Sequence, residues 1–380
     1  MECRPTVSKS SMDNIETCEL KYFYEYILKY RGEGGVKTVM GSAIHCVAEA
    51  LARIKLNIQN DGEHSITMDD IGEVKYDPDT WMTPRVLEDA EVDLINKNRK
   101  NKGNFKDQIK LPYGTIRHGE DFVNELIERA YQHYELPRLI QEAKDKGKKD
   151  PFERNYREYS WMLLEQFDPR TQNVVDVEFD FDLPLPYDWA KDENGDYIRI
   201  KGFIDLITEP QPGVYVITDY KTGERAKFPS FEQKTYADIK KDLQLSMYCH
   251  ALQSLYPDKM IIANLFYVRD GGVFSVTFEP KSNEINVKEI VKAHIDKVRS
   301  CEKPSLLSPV MGTASQETID NFQFKDTRNG TVSSACMYLC PAFKSKQFST
   351  DCDCKFLNSK IAEVGLDEVK AQYKKGNFEV

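Results

Sequence analysis

The sequence lacks several features that would assign it to a broad class at once. It has no apolar run near the roughly 20 residues that a membrane-spanning helix needs, and its first residues, MECRPTVSKSSMDN, lack the apolar stretch of a secretory signal peptide. It has no internal repeat, no low-complexity tract and no G-x-x-x-x-G-K-[ST] phosphate-binding loop. We therefore expect a cytoplasmic or otherwise intracellular protein that is not secreted, has no membrane partner and contains no ATP-driven motor.

The sequence also lacks an excess of positive charge. The chain has 52 Lys and Arg against 62 Asp and Glu, which gives a formal net charge of −10. A protein that coats nucleic acid nonspecifically needs an excess of basic side chains for phosphate contacts, so this balance argues against that class. Lysine-rich stretches at 97–110 and 144–149 are typical of solvated loops or helix faces, but they leave a polyanionic partner open.

Cysteine, in contrast, is abundant, with nine residues. Four of them lie in one short stretch near the end of the sequence: Cys336, Cys340, Cys352 and Cys354. In a reducing compartment, clustered cysteines more often bind metal than form disulfides. Thiolates suit an iron–sulfur cluster or zinc, and spacing alone does not select between them. Four others are interpreted as small buried hydrophobes: Cys3, Cys46, Cys249 and Cys301.

The order of periodic segments predicts an α/β protein with a helical insertion. Apolar spacing typical of helices occurs at 10–30 and 37–56, and again in the polar region 57–172, at 119–143 and 157–167. Later segments predict strands at 173–185, 197–208 and 213–222, a helix at 237–256, a hairpin at 260–280 joined at Gly271–Gly272, and a helix near 283–300. We expect N-terminal helices (1–56), the insertion (57–172), a core (173–300) and a cysteine-bearing segment (301–380).

Charged residues interrupt two apolar strands, with Asp205 within the first and Asp219 and Lys221 at the end of the second. If Thr208 pairs with Val214, Asp205 lies opposite Ile217 and shares a face with Asp219 and Lys221. Converging carboxylates repel each other unless a cation lies between them, and oxygen ligands suit Mg²⁺ or Mn²⁺. An adjacent lysine can position water or stabilise charge on a phosphate. The trio therefore favours a metal site over a solvated strand end.

Four motif pairs in this order resemble the PD-(D/E)XK nuclease superfamily, and its RecB-like exonuclease branch in particular. That branch includes CRISPR-associated and mitochondrial iron–sulfur exonucleases. The matching positions are a G-x-x-x-H pair, a G-x-x-D pair, a D-x-K pair and a Q-x-x-x-Y pair: Gly41 and His45, Gly202 and Asp205, Asp219 and Lys221, Gln244 and Tyr248. The similarity covers roughly residues 10–50 and 173–255.

The resemblance implies a restriction-endonuclease-like core, with a central mixed sheet flanked by helices, that hydrolyses phosphodiester bonds in DNA with Mg²⁺ or Mn²⁺. It implies that His45, Asp205 and Asp219 hold metal, with the backbone carbonyl of Tyr220 as a further ligand. Asp205, Asp219 and Lys221 would be catalytic.

The resemblance also assigns supporting roles. Gln244 and Tyr248 would support the site and contact DNA. Glu49 fits either a family position or a solvated side chain, and Glu178 is interpreted as a structural or supporting group.

The function implied is that of a single-strand DNA exonuclease in recombination, repair or DNA processing, working with a separate helicase or recombination protein. Two alternatives stay open. One is an endonuclease on the same core, and the other is a non-catalytic DNA-binding member.

The resemblance extends to the cysteines, because many RecB-like nucleases bind a [4Fe–4S] cluster through one N-terminal and three C-terminal cysteines. Cys18 matches the N-terminal position. The C-terminal set departs from the family's spacing, with three residues between Cys336 and Cys340 and eleven before Cys352. We expect Cys18, Cys336, Cys340 and Cys352 to bind one cluster, with Cys354 as an alternative to Cys352. The other interpretations are a zinc site or free thiols.

Overall fold

The computed structural model describes residues 4–17, 19–22, 25–26, 34–99, 110–225, 232–270 and 272–301. The helices are α1 (Lys9–Thr17), α2 (Glu19–Tyr22), α3 (Val36–Gln59), α4 (Asp89–Asn98), α5 (Glu120–His133), α6 (Leu136–Asp145), α7 (Phe152–Gln166), α8 (Tyr236–Ile239), α9 (Leu243–Leu255) and α10 (Pro280–Ser300). The strands are β1 (Thr6–Val7), β2 (Ser65–Met68), β3 (Gly72–Lys75), β4 (Pro84–Val86), β5 (Ile116–His118), β6 (Val174–Pro184), β7 (Arg199–Gln211), β8 (Val214–Lys221), β9 (Met260–Tyr267) and β10 (Gly272–Val276). The five cysteines proposed as metal ligands, Cys18, Cys336, Cys340, Cys352 and Cys354, lie outside the described residues.

Most predicted elements are present, but two predicted helices are divided. The helix expected at 119–143 breaks between α5 and α6, where Glu135 has a left-handed φ of 49° and Pro137 stands at the start of α6. Proline at a first helical turn is tolerated, but it cannot continue a helix from the preceding turn. The helix expected at 237–256 divides into α8 and α9 because the Asp242 side chain accepts hydrogen bonds from the backbone N–H groups of Gln244 and Leu245, which begins a new helix.

The described residues form two compact units. The larger unit comprises 34–180 and 203–283, and the smaller comprises the described parts of 1–33, 181–202 and 284–380. Every residue that the sequence singles out for catalysis belongs to the larger unit.

The larger unit is built on a mixed sheet. Strand β8 pairs antiparallel with β7 and parallel with β9, and β9 pairs antiparallel with β10. Helix α3 packs against α5, α6 and α7, and its buried side chains share one hydrophobic cluster with Tyr156 of α7, Leu206 of β7 and Phe266 of β9. The segment predicted as a helical insertion therefore contributes to the same core as the sheet.

The insertion also contains strands that the sequence analysis did not predict. Strands β2 and β3 form one antiparallel hairpin, and β4 pairs antiparallel with β5. These strands are three or four residues long and largely exposed, so they carry little of the apolar alternation on which a strand prediction depends.

In the smaller unit, β1 pairs parallel with the first residues of β7. A separate apolar cluster joins Ile15, Tyr22, Tyr26, Val298 and Cys301. Cys46, Cys249 and Cys301 are all buried, in agreement with their interpretation as small core residues. Within the described part of the chain, no helix is long and apolar enough to cross a membrane.

Candidate active site

The β7–β8 hairpin brings Asp205 and Asp219 together, but in a different register from the predicted one. The observed pairs are Ile207 with Ile217 and Leu206 with Thr218, so continuing the ladder by one residue places Asp205 opposite Asp219 rather than Ile217. A two-residue turn at Pro212 and Gly213 and a register irregularity between Thr208 and Gln211 produce this shift. Because the observed register differs from the predicted one by two residues, the Asp205 side chain lies on the predicted face of the sheet.

Asp219 and Lys221 form a closely connected polar group with α9. The Lys221 Nζ lies 2.6 Å from Oδ2 of Asp219 and donates a hydrogen bond of 3.1 Å to Oε1 of Gln244. The Gln244 amide in turn donates to Oδ1 of Asp219 at 2.9 Å and to the Tyr248 hydroxyl at 2.6 Å. Gln244 therefore holds both the carboxylate and the ammonium group in place, through the helix face that the i, i+4 spacing of Gln244 and Tyr248 predicts.

The protonation of this pair follows from its burial. Asp219 is only 2 % exposed, and burial raises its pKa to about 7, although the positive charge of Lys221 acts in the opposite direction. Burial, the largest single effect, lowers the pKa of Lys221, but the charge and hydrogen bond of Asp219 together with the charges of Asp205 and Asp242 outweigh it, so the net pKa of the lysine is raised. Lys221 is therefore an ammonium ion at neutral pH and can stabilise negative charge, but in that state it cannot accept a proton.

His45, on α3, lies beside the Asp205 carboxylate. Its Nδ1 lies 3.5 Å from Oδ2 of Asp205, and the same carboxylate oxygen accepts a hydrogen bond of 2.8 Å from the backbone N–H of Tyr220. The His45 ring also makes an edge contact with the Tyr220 ring. Asp205 is thus the carboxylate that links the histidine of α3 to the strand end that carries Asp219 and Lys221.

Close packing of α3 on the end of β8 makes this approach possible. A Cβ atom added to Gly41 would lie 2.8 Å from Oγ1 of Thr222, the residue after β8. Gly41 is one helical turn before His45, so the lack of a side chain at this position lets the histidine reach the sheet.

Beside His45 and Asp205 lies a small cleft, the α3 cleft, whose lining includes the carboxylates of Glu49 and Glu178. Glu49 forms an ion pair of 2.6 Å with Arg53, one turn further along α3. Burial, followed by the charges of Asp205 and Glu49, raises the pKa of Glu178 to about 8.

Glu178 is the functional candidate that sequence reasoning undervalued. Its φ is +51°, a left-handed conformation inside β6 that costs of order 1–3 kcal/mol in a residue other than glycine. From the sequence, this residue is interpreted only as a structural or supporting group. No local pattern in the sequence signals the left-handed backbone, because tertiary contacts impose it.

The donor types suit a divalent cation, since the β7–β8 ladder places Asp205 opposite Asp219 and the imidazole of His45 lies beside Asp205. In the parts of the chain that the structure describes, no three His, Cys, Asp or Glu side chains already converge on one point. Oδ2 of Asp205 is engaged by Tyr220, and Asp219 is engaged by Lys221 and Gln244. Binding of a cation by His45, Asp205 and Asp219 would therefore require these side chains to exchange present partners for the ion.

The comparisons with known proteins agree with this geometry. A sequence model of the PD-(D/E)XK nuclease superfamily matches residues 6–341, most of the chain. Among curated proteins, none matches the chain. The matched region includes the mixed sheet, α3, the D-x-K strand end and α9, so the chain belongs to the PD-(D/E)XK nuclease superfamily.

Proposed function

We propose that this protein is a metal-dependent deoxyribonuclease whose active site comprises His45, Asp205, Asp219 and Lys221. The observation that carries the proposal is the contact of Lys221 with Asp219, held by Gln244, next to the Asp205–His45 pair. In phosphodiester hydrolysis, a water oxygen bonds to phosphorus, the ester P–O bond breaks, and the leaving oxygen takes a proton. Negative charge develops on the phosphate oxygens, and positive groups fixed nearby lower the barrier.

Each residue would have a distinct role in that reaction. The Lys221 ammonium group, fixed by Asp219 and Gln244, would stabilise charge on the phosphate and orient the attacking water. His45, Asp205 and Asp219 would hold Mg²⁺ or Mn²⁺, with the Tyr220 carbonyl as a further ligand. Such an ion, when bound, polarises a phosphoryl oxygen and lowers the pKa of a bound water. Gln244 would keep Lys221 and Asp219 oriented.

Within the superfamily, we infer that the chain belongs to the RecB-like branch and acts on free ends of single-stranded DNA in repair or recombination. The motif set His45, Gly202–Asp205, Asp219–Lys221 and Gln244–Tyr248 supports this inference. The sequence has no ATP-binding loop that could power strand separation, so a separate helicase would supply the strand.

The experiment compares end-labelled linear single strands, linear duplexes and circular single strands, each with Mg²⁺, Mn²⁺ or EDTA. We expect metal-dependent cleavage of linear single strands only. Lys221→Ala should lose on the order of 10²-fold in rate, because it removes a charge at the transition state, whereas Lys281→Ala, at an exposed position of α10, should not change it.

Three other outcomes are informative. Cleavage of circular single strands would establish an endonuclease instead. DNA binding without cleavage under every metal condition would establish a non-catalytic member of the superfamily. Full activity in Lys221→Ala would remove this lysine from the active site.

We further propose that Cys18, Cys336, Cys340 and Cys352, with Cys354 as the alternative to Cys352, bind one [4Fe–4S] cluster. The match of Cys18 to the N-terminal cysteine of RecB-like nucleases and the dense C-terminal set support the proposal. Hydrolysis needs no redox step, so the cluster would be structural.

A further inference from the structure

An exposed aromatic ring is held in place at the edge of the mixed sheet. Tyr236, the first residue of α8, is 48 % exposed. Its hydroxyl donates a hydrogen bond of 3.1 Å to the backbone carbonyl of Ser275 on β10. Thr235 and Asp238 fix the start of α8 through a reciprocal capping box. A ring that is already ordered in the free protein loses little side-chain entropy when a ligand packs on it, so Tyr236 is prepared for such a contact.

Two lysines without ion pairs accompany this ring. Lys240 and Lys241 follow α8 and are exposed, and no carboxylate among the described residues forms an ion pair with either. Nζ of Lys240 lies 5.3 Å from the centroid of the Tyr236 ring. A cation–π contact at an exposed site is weak compared with base stacking. The ammonium group can therefore exchange the ring for a phosphate and leave that face of the ring to a base.

Lys241 leads directly to the candidate active site along the chain. It lies three residues before Gln244, so the Cα atoms of the two residues are at most about 11 Å apart. The Gln244 side chain holds the Asp219 carboxylate and the Lys221 ammonium group. A phosphate bound at Lys241 would therefore lie within a few nucleotides of a phosphate at Lys221.

The sheet connects the same two places by a second route. Lys221 on β8 pairs with Tyr267 on β9 in the parallel ladder. The Tyr267 ring contacts the ring of Phe274 on β10, with 6.0 Å between the two centroids. Ser275, whose carbonyl holds Tyr236, is the next residue of β10. The positions of Tyr236 and Lys221 are therefore fixed relative to each other by paired strands.

We propose that Tyr236, Lys240 and Lys241, together called the α8 surface, bind unpaired nucleotides of the DNA strand that enters the active site. One base would stack on the Tyr236 ring, and neighbouring phosphates would contact the two ammonium groups. A single strand fits this surface better than a duplex, because the bases of a duplex already stack on each other and offer no face to a protein ring. The inference rests on the proposed function and deepens it, since it assigns a substrate contact outside the hydrolytic residues.

A structural alternative is that Tyr236 only covers the edge of the sheet. In the described part of the chain, β10 pairs on one side alone, with β9, and native proteins often cover such strand edges. That role needs the hydroxyl that bonds to Ser275, whereas base stacking needs the ring. Comparison of Tyr236→Phe, which keeps the ring and removes the hydroxyl, with Tyr236→Ala therefore separates the two roles.

The test measures the fluorescence anisotropy of a labelled single-stranded deoxythymidine oligonucleotide during titration with the full chain in EDTA. We expect Tyr236→Ala to weaken binding by about 10-fold and Tyr236→Phe by less than about 3-fold. Tyr197→Ala is the matched control and should bind as the wild type does, because Tyr197 is 44 % exposed and lies under Lys191, but Asp188 already pairs with that lysine. Equal losses in the two Tyr236 variants would establish the edge role instead. Unchanged binding in Tyr236→Ala, or no binding by the wild type, would overturn the inference.

Salt dependence tests the lysines independently and does not rely on the folding of a Tyr236 variant. Each phosphate contact to single-stranded DNA contributes about 0.7 to the slope of log affinity against log salt concentration. Lys240→Gln combined with Lys241→Gln should reduce that slope by about 1.4. Lys281→Gln, at an exposed position of α10, should leave it unchanged. An unchanged slope in the double variant would remove the phosphate contacts and overturn the inference.

The two proposals can fail separately. Cleavage of linear single strands by the wild type, combined with unchanged affinity and salt dependence in the variants of the α8 surface, would refute this surface and leave the nuclease proposal standing. Tyr236-dependent binding of single strands without cleavage under any metal condition would refute the nuclease proposal and leave the surface standing. An equal loss of affinity for a duplex of the same length would overturn the assignment to unpaired nucleotides.

Discussion

At the scale of single residues, Gln244 shows how a neutral side chain can control two charged ones. Its amide oxygen accepts a hydrogen bond from Lys221, and its amide nitrogen donates one to Asp219. The amide offers both a donor and an acceptor at the end of one side chain without carrying a charge. Asp219 and Lys221 could pair without Gln244, but the orientation of the pair relative to Asp205 would then be set by their own rotamers alone.

Replacement of Gln244 should therefore reduce catalysis without unfolding the protein. We expect Gln244→Ala to lower kcat by about 10-fold or more, the usual effect of removing a group that orients an active-site residue, with little change in the melting temperature. Gln244→Glu should be worse, because a third carboxylate beside Asp219 would repel it. Gln132→Ala, at an exposed position of α5, is the control. An unchanged kcat in Gln244→Ala would show that Lys221 and Asp219 orient themselves.

The raised pKa values of Asp219 and Glu178 predict how the stability of the metal-free protein changes with pH. Burial raises the pKa of Asp219 to about 7 and that of Glu178 to about 8. Both groups bind their protons more tightly in the folded than in the unfolded chain. Their ionisation therefore lowers the free energy of unfolding as the pH rises through the interval from about 4 to about 8.

Urea denaturation in EDTA at several pH values in that interval measures this effect. Glu178→Gln lacks one of the two groups, so the stability it gains relative to the wild type should increase as the pH rises. A difference between the two proteins that stays constant with pH, or shrinks as the pH rises, would show that Glu178 ionises normally in the folded protein.

At the scale of secondary-structure elements, the site depends on how closely α3 lies on the end of β8. Gly41 permits this contact, because a Cβ atom at this position would meet Oγ1 of Thr222 at 2.8 Å. The helix itself is long and deeply buried, and its apolar side packs on the helices of the insertion. Helix α3 is thus fixed from one side by the insertion and from the other by the sheet, which leaves His45 little freedom to shift relative to Asp205.

A double-mutant cycle at this contact tests that view. In a helix, alanine is more stable than glycine by ~1 kcal/mol. With threonine at position 222, Gly41→Ala should fall short of that gain or destabilise the protein, because the new methyl group would overpack the contact. In a Thr222→Ala background, Gly41→Ala should gain about that full ~1 kcal/mol. Urea denaturation of the four proteins gives the coupling energy. If the two substitutions change the free energy of unfolding additively, the contact between Gly41 and Thr222 relaxes without cost. An unchanged kcat in Gly41→Ala would show that the position of His45 does not depend on this contact.

At the scale of the whole molecule, the region 57–172 belongs to the larger compact unit rather than forming an appendage. Its helices share a hydrophobic cluster with α3 and with the sheet. Removal of the insertion would expose the apolar side of α3, the helix that carries His45 and Glu49. The insertion thus supports the site through packing, although none of its own residues reaches Asp205 or Lys221 by a hydrogen bond or ion pair recorded for the described residues.

The proposed iron–sulfur cluster belongs to this scale, because it would join residues 318 positions apart in the sequence, from Cys18 to Cys336. Closing so long a loop is entropically costly, so a metal that maintains it should contribute several kcal/mol to folding. We expect anaerobically purified protein to be brown and to contain iron and sulfide. Cys18→Ala should lose both the colour and thermal stability.

Cys3→Ala provides the matched control and should keep the colour. Colourless protein with stoichiometric zinc would replace the cluster with a zinc site. Protein without either metal, and with unchanged stability in Cys18→Ala, would leave the cysteines as free thiols.

The sequence by itself determined the order of the elements and the set of motif residues. Apolar alternation in β7 and β8 and the 3.6-residue spacing in α3 are local signals, so they predict strands, helices and the faces of His45, Asp205 and Asp219 without knowledge of the fold. Side chains alternate between the two faces of a strand, so an error of two residues in the register leaves the face unchanged. The face of Asp205 was therefore predicted correctly, although the residue opposite it was not.

Only the tertiary structure decided the register, the backbone conformation of Glu178 and the place of the insertion. The register depends on the turn at Gly213 and on the irregularity after Thr208, which no alternation of apolar residues encodes. The left-handed backbone of Glu178 and the 3.5 Å approach of His45 to Asp205 arise from packing between segments far apart in the chain. Such contacts are set by how many side chains pack together in one core, and that packing forms only when the chain folds.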